Sequence, residues 1–414
     1  MLEKIKIDFD KYLEIKNFSK DETILRRKSF DQFLSIGLPN KKIEDWKFSD
    51  LNKVLNDNFE EISIYKEENI LNVINNKIIK EFEHNSLIIF NGKLFSSNFE
   101  HENTSKIKLN QLSLSEKNLK KENSLTSLNS ALIEKIVELN IDENYEFKKP
   151  LIIYHLSDNN LSDKIINNKI KLNLGQNSKL ICIEIFGYNK NKNFNLKNLE
   201  ITLDKNSILK KYKYDDINNE QINYSYENVN LEENSNFENF IFSVGSKFSK
   251  NEILCNLNGK HSSCFLNGII NLDDQKHHEI KTFINHANEN TKSHQLVKSV
   301  LSGSSTGVFQ GKIYVNKIAQ KTDGYQLSKA LLLSENSEFD AKPELEIYAD
   351  DVKCSHGSTS GNIDEQSMFY LMSRGLSHDE AKKMLINGFL IDVVEQITEE
   401  KIKELTRNYL IKWA

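Results

Sequence analysis

From about residue 131 the chain changes period. Val137, Leu139 and Ile141 alternate with Glu138 and Asn140, the two-residue rhythm of a half-buried strand. Short strand-like runs follow (LIIYHL, KIKLNL, KLICIEIF, NLEITL, ILKKYKY, FENFIF), and no helix-length pattern separates them, which disfavours a βαβ sheet. A phrase recurs among them: an apolar residue, a polar gap, Asn-Ser, then an apolar residue two positions on. It reads LGQNSKL at Asn177, LDKNSIL at Asn206 and LEENSNF at Asn234, steps of 29 and 28 residues. The same step reaches Ser262 in NGKHSSCF and Asn290 in NENTKSH, and Asn336 in LSENSEF restates the phrase out of register. A helix-free repeat of this length predicts a strand solenoid with two strands per coil, its Asn and Ser side chains satisfying backbone groups at the corners. Residues 131–358 are expected to form a right-handed parallel β-helix. A Greek-key sandwich is the alternative, but nothing in one imposes a fixed period.

The flanks follow a helical rhythm. Residues 1–130 read as a mainly helical domain with one hairpin. Ser19 to Glu22 has capping-box spacing, ETILRRKSFDQFLSIG carries apolar residues at helical intervals, and Gly37 with Pro39 supplies a stop. In SLIIFNGKLF the pair Asn91-Gly92 between two apolar runs predicts a tight hairpin. Lys106 to Asn123 reads as a polar surface segment, and Trp46 in IEDWKFSDL as a packing anchor. In residues 359–414, Asp364 and Glu365 open a short helix that Gly375 closes, Ser377 to Glu380 begins a second, and TEEKIKELTRNYLIKWA forms a third. The expected class is mixed α and β, a strand solenoid between helical ends.

Composition narrows the function. The 414 residues carry a net charge of −5 with no basic block, so nucleic acid is disfavoured as a partner. MLEKIKIDFD has no apolar core of an export signal and no run suits a membrane span, so a cytoplasmic protein is expected. Four cysteines without a C-x-x-C pair predict thiols rather than a disulfide framework. Cys182, Cys255 and Cys264 sit in apolar runs and read as core thiols. His277, His278, His286 and His294 read as solvated corners and strand faces. The closest approach to a phosphate loop, SGSSTGVFQGKI, has Thr306 at the first glycine position and Ile313 after Gly311-Lys312, so no ATP site is expected in this chain. Neither G-x-S-x-G nor H-E-x-x-H occurs.

The candidate chemistry lies in Lys342 to Gly375, KPELEIYADDVKCSHGSTSGNIDEQSMFYLMSRG. Cys354 and His356 are two apart, so in an extended strand thiol and imidazole emerge on one face, half of a soft-metal site. Gly357 to Gly361 reads as a turn after them. No further cysteine or histidine follows until His378, so the remaining ligands would have to come from elsewhere. The residues alone leave three classes open: an assembly scaffold whose metal site a partner completes, a carbohydrate-acting β-helix enzyme, and a structural adaptor. The enzyme class is weakened by the missing export signal and the lack of aromatic runs for sugar stacking.

KPELEIYADDVKCSHG with the FYLMSRG that follows, Glu44-Asp45-Trp46-Lys47-Phe48-Ser49-Asp50-Leu51, Leu128-Asn129-Ser130-Ala131, and Gly311-Lys312-Ile313 leading into Lys321-Thr322-Asp323 resemble the SufB/SufD family of the SUF iron-sulfur cluster assembly system, on its SufD side. The resemblance implies a non-catalytic scaffold that pairs through its β-helix with a SufB-like paralogue. It also implies docking of a SufC-like ABC ATPase through the C-terminal helices, with Met368, Phe369, Tyr370 and Arg374 as candidates, and a transient Fe-S cluster at the shared interface. His356 then matches the family's interface histidine, acting with a partner cysteine, and Cys354 a neighbouring position. A SufB-like identity is the alternative. Against it, Lys321-Thr322-Asp323-Gly324 lacks the cysteine expected there, and the first 181 residues contain none.

Overall fold

The structure, a computed structural model, describes residues 1–66, 79–119, 123–158, 161–187, 192–215 and 220–413. The N-terminal part contains helices α1 (Leu2–Lys16), α2 (Lys20–Ile36) and α3 (Leu51–Asn58), strands β1 (Ser63–Ile64), β2 (Asn85–Phe90), β3 (Lys93–Asn98) and β4 (Ile107–Leu112), and helix α4 (Ser124–Leu132). Ser19 caps α2 by accepting from Glu22 N, and Gly37 ends it at φ 80°. The β2–β3 hairpin turns on Asn91 and Gly92, both with positive φ, as the Asn-Gly pair predicts. The segment expected to be merely polar surface contains β4, which pairs antiparallel with the first solenoid strand.

Sixteen strands then alternate between two sheets. The first receives β5 (Ile136–Ile141), β7 (Lys164–Leu174), β9 (Asn193–Leu203), β11 (Ile222–Leu231), β13 (Phe248–Leu257), β15 (His277–His286), β17 (Thr306–Val315) and β19 (Glu338–Ile347). The second receives β6 (Leu151–Leu156), β8 (Lys179–Gly187), β10 (Ile208–Asp215), β12 (Asn236–Ser243), β14 (Ser263–Leu272), β16 (Lys292–Leu301), β18 (Thr322–Leu332) and β20 (Val352–Gly361). Within each sheet these strands are all parallel. Each coil of the expected parallel solenoid therefore lays one strand on each sheet.

The repeated phrase builds one corner. Asn177, Asn206, Asn234 and Asn290 adopt the left-handed conformation at φ 56–59°, which Asn tolerates better than most side chains. The Ser or Thr after each is buried, and in three of the four its hydroxyl closes the corner: Ser207 Oγ donates to Asp204 O (2.6 Å), Ser235 Oγ to Glu232 O (2.7 Å) and Thr291 Oγ1 to Asn288 O (3.0 Å), while Ser178 Oγ has no partner among the described residues. Two copies differ from the sequence reading. At the fourth coil the left-handed residue is His261, and Ser262 supplies the hydroxyl, because that coil is one residue shorter. Asn336 belongs to the opposite corner, between β18 and β19, and does not take a left-handed φ.

Alternate residues on each strand face inward and outward, giving three cores. The lumen holds Leu199, Ile201, Val229, Phe237, Ile253 and Leu266 among others. On the outer face of the first sheet, the N-terminal helices bury Phe30, Phe33 and Leu51 against Phe194, Tyr224 and Phe248. On the outer face of the second, helices α6 (His378–Val394) and α7 (Glu400–Trp413) bury Leu390, Val393 and Ile402 against Tyr212, Tyr214 and Phe242. A shorter helix, α5 (Glu365–Ser373), follows β20 directly. Trp46 is the expected anchor: it lies 5.7 Å from Tyr224 with the Lys250 ammonium 4.3 Å over its ring.

Candidate functional site at the open coil

The two ends of the solenoid differ. At the N-terminal end the sheets finish in antiparallel strands, β4 beside β5 and the β2–β3 hairpin beside β6, and Phe99 and Phe147 close the lumen with ring centroids 6.4 Å apart. At the C-terminal end β19 and β20 are the last strands of their sheets, each paired on one side only.

Cys354 and His356 both lie on β20, as the i, i+2 spacing requires, facing the lumen of that last coil. The expected turn at Gly357 to Gly361 is a continuation of the strand. Small residues there do not bend the chain because β18 holds them in register, Ser328 opposite Ser358 and Ala330 opposite Ser360. Cys354 pairs with Gly324 and packs near Ile313, Leu345 and Ala349. A Cβ on Gly324 would stand 3.3 Å from the Cys354 sulfur, so the glycine gives the thiol its seat. Half-burial pushes the Cys354 thiol up from its ordinary value, and a backbone hydrogen bond from Gly324 only partly opposes this. The cysteine rests as a thiol. His356 is exposed beside it, opposite Gln326 in the register. Among the described residues no three His, Cys, Asp or Glu side chains gather as a metal site, and His378 lines a separate groove on α6. The arrangement offers a soft donor and a borderline one on an unfinished surface.

Gln326 escaped the sequence reading. It is fully buried; its Nε2 donates to Glu344 O at 3.4 Å, and its Oε1 has no hydrogen-bond partner among the described residues. The one available signal was its position, a single coil of 30 residues before His356.

The α5 residues form a second exposed patch. Phe369 is 75% and Tyr370 56% exposed, Arg374 lies 5.3 Å over the Tyr370 ring, and Met368 is half-buried. Met368 and Phe369 line a groove of about 740 Å³ between α5, α6 and the corner at Leu332 to Ser337. These aromatics are not core residues.

The other reactive side chains are structural. Cys182, Cys255 and Cys264 are buried, as expected of core thiols. The histidines are not solvated as a group. His278 Nε2 donates to Ser246 O (2.6 Å) with its Nδ1 beside Ser243 Oγ (2.8 Å), and His286 bridges Thr291 and Ser293 at 2.8 Å each. His277 meets Ser49 at 2.8 Å and is part-exposed, as is His294 beside Tyr325. The lumen and the first sheet's outer face accept these rings because hydroxyls and carbonyls satisfy them, which alternation along a strand cannot reveal. Within the lumen Glu184 is held well below the carboxylate range despite burial, through Lys197, Lys211 (2.9 Å) and His155 (3.1 Å).

Fold and site together define a class: a parallel strand solenoid carrying a thiol and an imidazole on an uncovered end. The family model described as SUF system FeS cluster assembly, SufBD core domain, matches residues 155–389, more than half of the chain. The chain is 26% identical over 378 residues to the iron-sulfur cluster assembly protein SufD of Escherichia coli K12, covering 90% of this chain and 88% of that protein. It is 39% identical over 119 residues to the chloroplastic protein ABCI7 of Arabidopsis thaliana, 28% of this chain and 25% of that one. A SufBD family protein of Synechocystis is 41% identical over 105 residues, 25% of this chain and 23% of that protein. The chain belongs to the SufBD family of the SUF iron-sulfur cluster assembly system, and it is SufD-like. Among the described residues no helix is long and apolar enough to cross a membrane.

Proposed function

We propose that this chain is the SufD-like scaffold subunit of a cytoplasmic SUF complex, and that its open coil is the face on which a nascent Fe-S cluster is built as substrate. The observation that carries the reading is the uncovered end itself. Parallel edge strands are templates that soluble proteins normally blunt or cover, and here β19 and β20 are left with free edges beside Cys354 and His356. A SufB-like paralogue covering that end would extend both sheets and bring the ligands this chain lacks. Thiolate from the partner and imidazole from His356 would then complete a site that either chain holds only in part. The half-buried Cys354 thiol is a second donor.

In this reading the helical parts that flank the solenoid, expected to divide from it at about residues 130 and 358, have separate tasks. The helices before it brace the first sheet, and those after it dock a SufC-like ABC ATPase. Met368, Phe369, Tyr370 and Arg374 suit such docking, since exposed aromatic and Arg side chains beside an apolar groove are the residue types that anchor interfaces. ATP binding by the docked ATPases would strain the paired open ends and expose the cluster ligands, while this subunit supplies no catalysis of its own. The test is iron and acid-labile sulfide per complex after anaerobic co-expression with SufB-like and SufC-like partners. His356→Ala is expected to form the same complex without cluster, because an exposed side chain on an edge strand carries little stability. A variant complex loaded equally would make the chain a structural adaptor.

A further inference from the structure

The column of side chains beneath His356 is polar for two coils. Gln295 on β16, Gln326 on β18 and His356 on β20 are successive partners in the parallel register, so they stack along the lumen at a strand spacing of about 4.8 Å. The next residue down the column is Leu266. Gln295 Oε1 accepts from Thr282 Oγ1 at 2.6 Å, and its Nε2 has no partner among the described residues. In Gln326 the amide oxygen is the orphan. Its Nε2 makes one long hydrogen bond across the lumen to Glu344 O of the last coil, and its Oε1 is unpartnered at zero exposure. Burying an unpaired carbonyl is costly, and Leu or Met in the same volume would avoid that cost. The fold also makes room for that oxygen: a Cβ on Gly311 would stand 2.3 Å from Gln326 Oε1. That acceptor is buried and unspent, turned toward Gly311 in this conformation, and its two register neighbours are the unpartnered Gln295 Nε2 below and the exposed imidazole of His356 above.

We infer that Gln326 is a positioning residue for His356, its amide oxygen accepting the N–H of one ring nitrogen so that the other nitrogen's lone pair is directed out of the open end. Metal-binding histidines commonly donate their second ring N–H to a carbonyl or carboxylate, which fixes the tautomer and the ring plane. The inference rests on the proposed function only for its consequence; the positioning belongs to this chain alone.

Two measurements separate the two claims. In the full-length chain labelled with ¹⁵N-histidine, at a pH of about 8 where an ordinary imidazole is neutral, His356 should show one dominant tautomer, its signal identified by its loss in His356→Ala. Gln326→Leu and Gln326→Met should both return it toward the mixture of a free imidazole, and Gln326→Glu, which keeps an acceptor, should preserve it. A tautomer ratio unchanged in the Leu and Met variants, or a free-imidazole mixture already in the wild type, would overturn the inference. In the co-expressed complex, Gln326→Leu should lower cluster content by about tenfold or more at unchanged complex yield, with recovery in Gln326→Glu. If the tautomer responds to Gln326 while His356→Ala still loads cluster, positioning stands and the cluster-ligand reading falls.

Discussion

The two ends of this solenoid are made from the same kind of coil and treated in opposite ways. At the N-terminal end the chain reverses strand direction at both sheet edges and seals the lumen with aromatic rings. Glu102 clamps that seal, accepting from Lys148 N (3.0 Å), Lys149 N (3.1 Å), Tyr145 OH (2.7 Å) and Asn85 Nδ2 (2.8 Å). At the C-terminal end no clamp of this kind exists among the described residues, Leu345 is half-exposed, and Ile347 and Tyr348 are 39% and 58% exposed. Stability is concentrated where the coil stack begins and withheld where it stops, and the soft donors are found at the end where it is withheld. An end left open at a cost in apolar exposure is what the proposed pairing requires.

Acid should expose the contrast most strongly. His155 and His277 are pushed down to about 4, and His278 and His286 to about 3, each chiefly by burial, while all lie within the coil stack rather than at its open tip. Because the folded values lie below the unfolded value near 6.5, the contribution of these neutral rings is complete above that pH and is lost as pH falls toward 4, at about 1.4 kcal/mol per unit for each ring. Urea midpoints between pH 7 and 5 should therefore fall by several kcal/mol equivalent, and His278→Asn should flatten the slope. A midpoint independent of pH would show that these rings are not buried neutral.

Equal truncations at the two ends should cost unequal amounts. Leu139→Ala in β5 removes a side chain that is 1% exposed and should lose about 2–5 kcal/mol. Leu345→Ala in β19 should lose less, about 1–2 kcal/mol in the isolated chain, since its side chain is only partly buried. Chemical denaturation of both variants checks this, and similar losses would mean that the C-terminal coil is as well packed as the N-terminal one.

Much of this contrast was legible beforehand. The Asn-Ser phrase marked one corner of successive coils because only a few side chains tolerate a left-handed residue there, and at most of these corners the following hydroxyl bonds back to close it. Cys354 and His356 could be placed on one face from their spacing. What could not be read was anything set by a neighbouring coil. Gly357 to Gly361 looked like a turn because its strand conformation is imposed by β18, not by its own propensities. His278 and His286 looked solvated because the Ser and Thr partners that satisfy them come from other strands or beyond a corner. Gln326 had no local signature at all: its role depends on the residue 30 positions later that stacks on it.

The most direct test of the open-end account is hydrogen exchange of the full chain, alone and after co-expression with a SufB-like paralogue as the proposed partner. The account predicts new protection in Glu338–Ile347 and Val352–Gly361 on complex formation, and none in Ile107–Leu112 at the sealed end. Protection that appeared elsewhere while both terminal strands exchanged unchanged would contradict it.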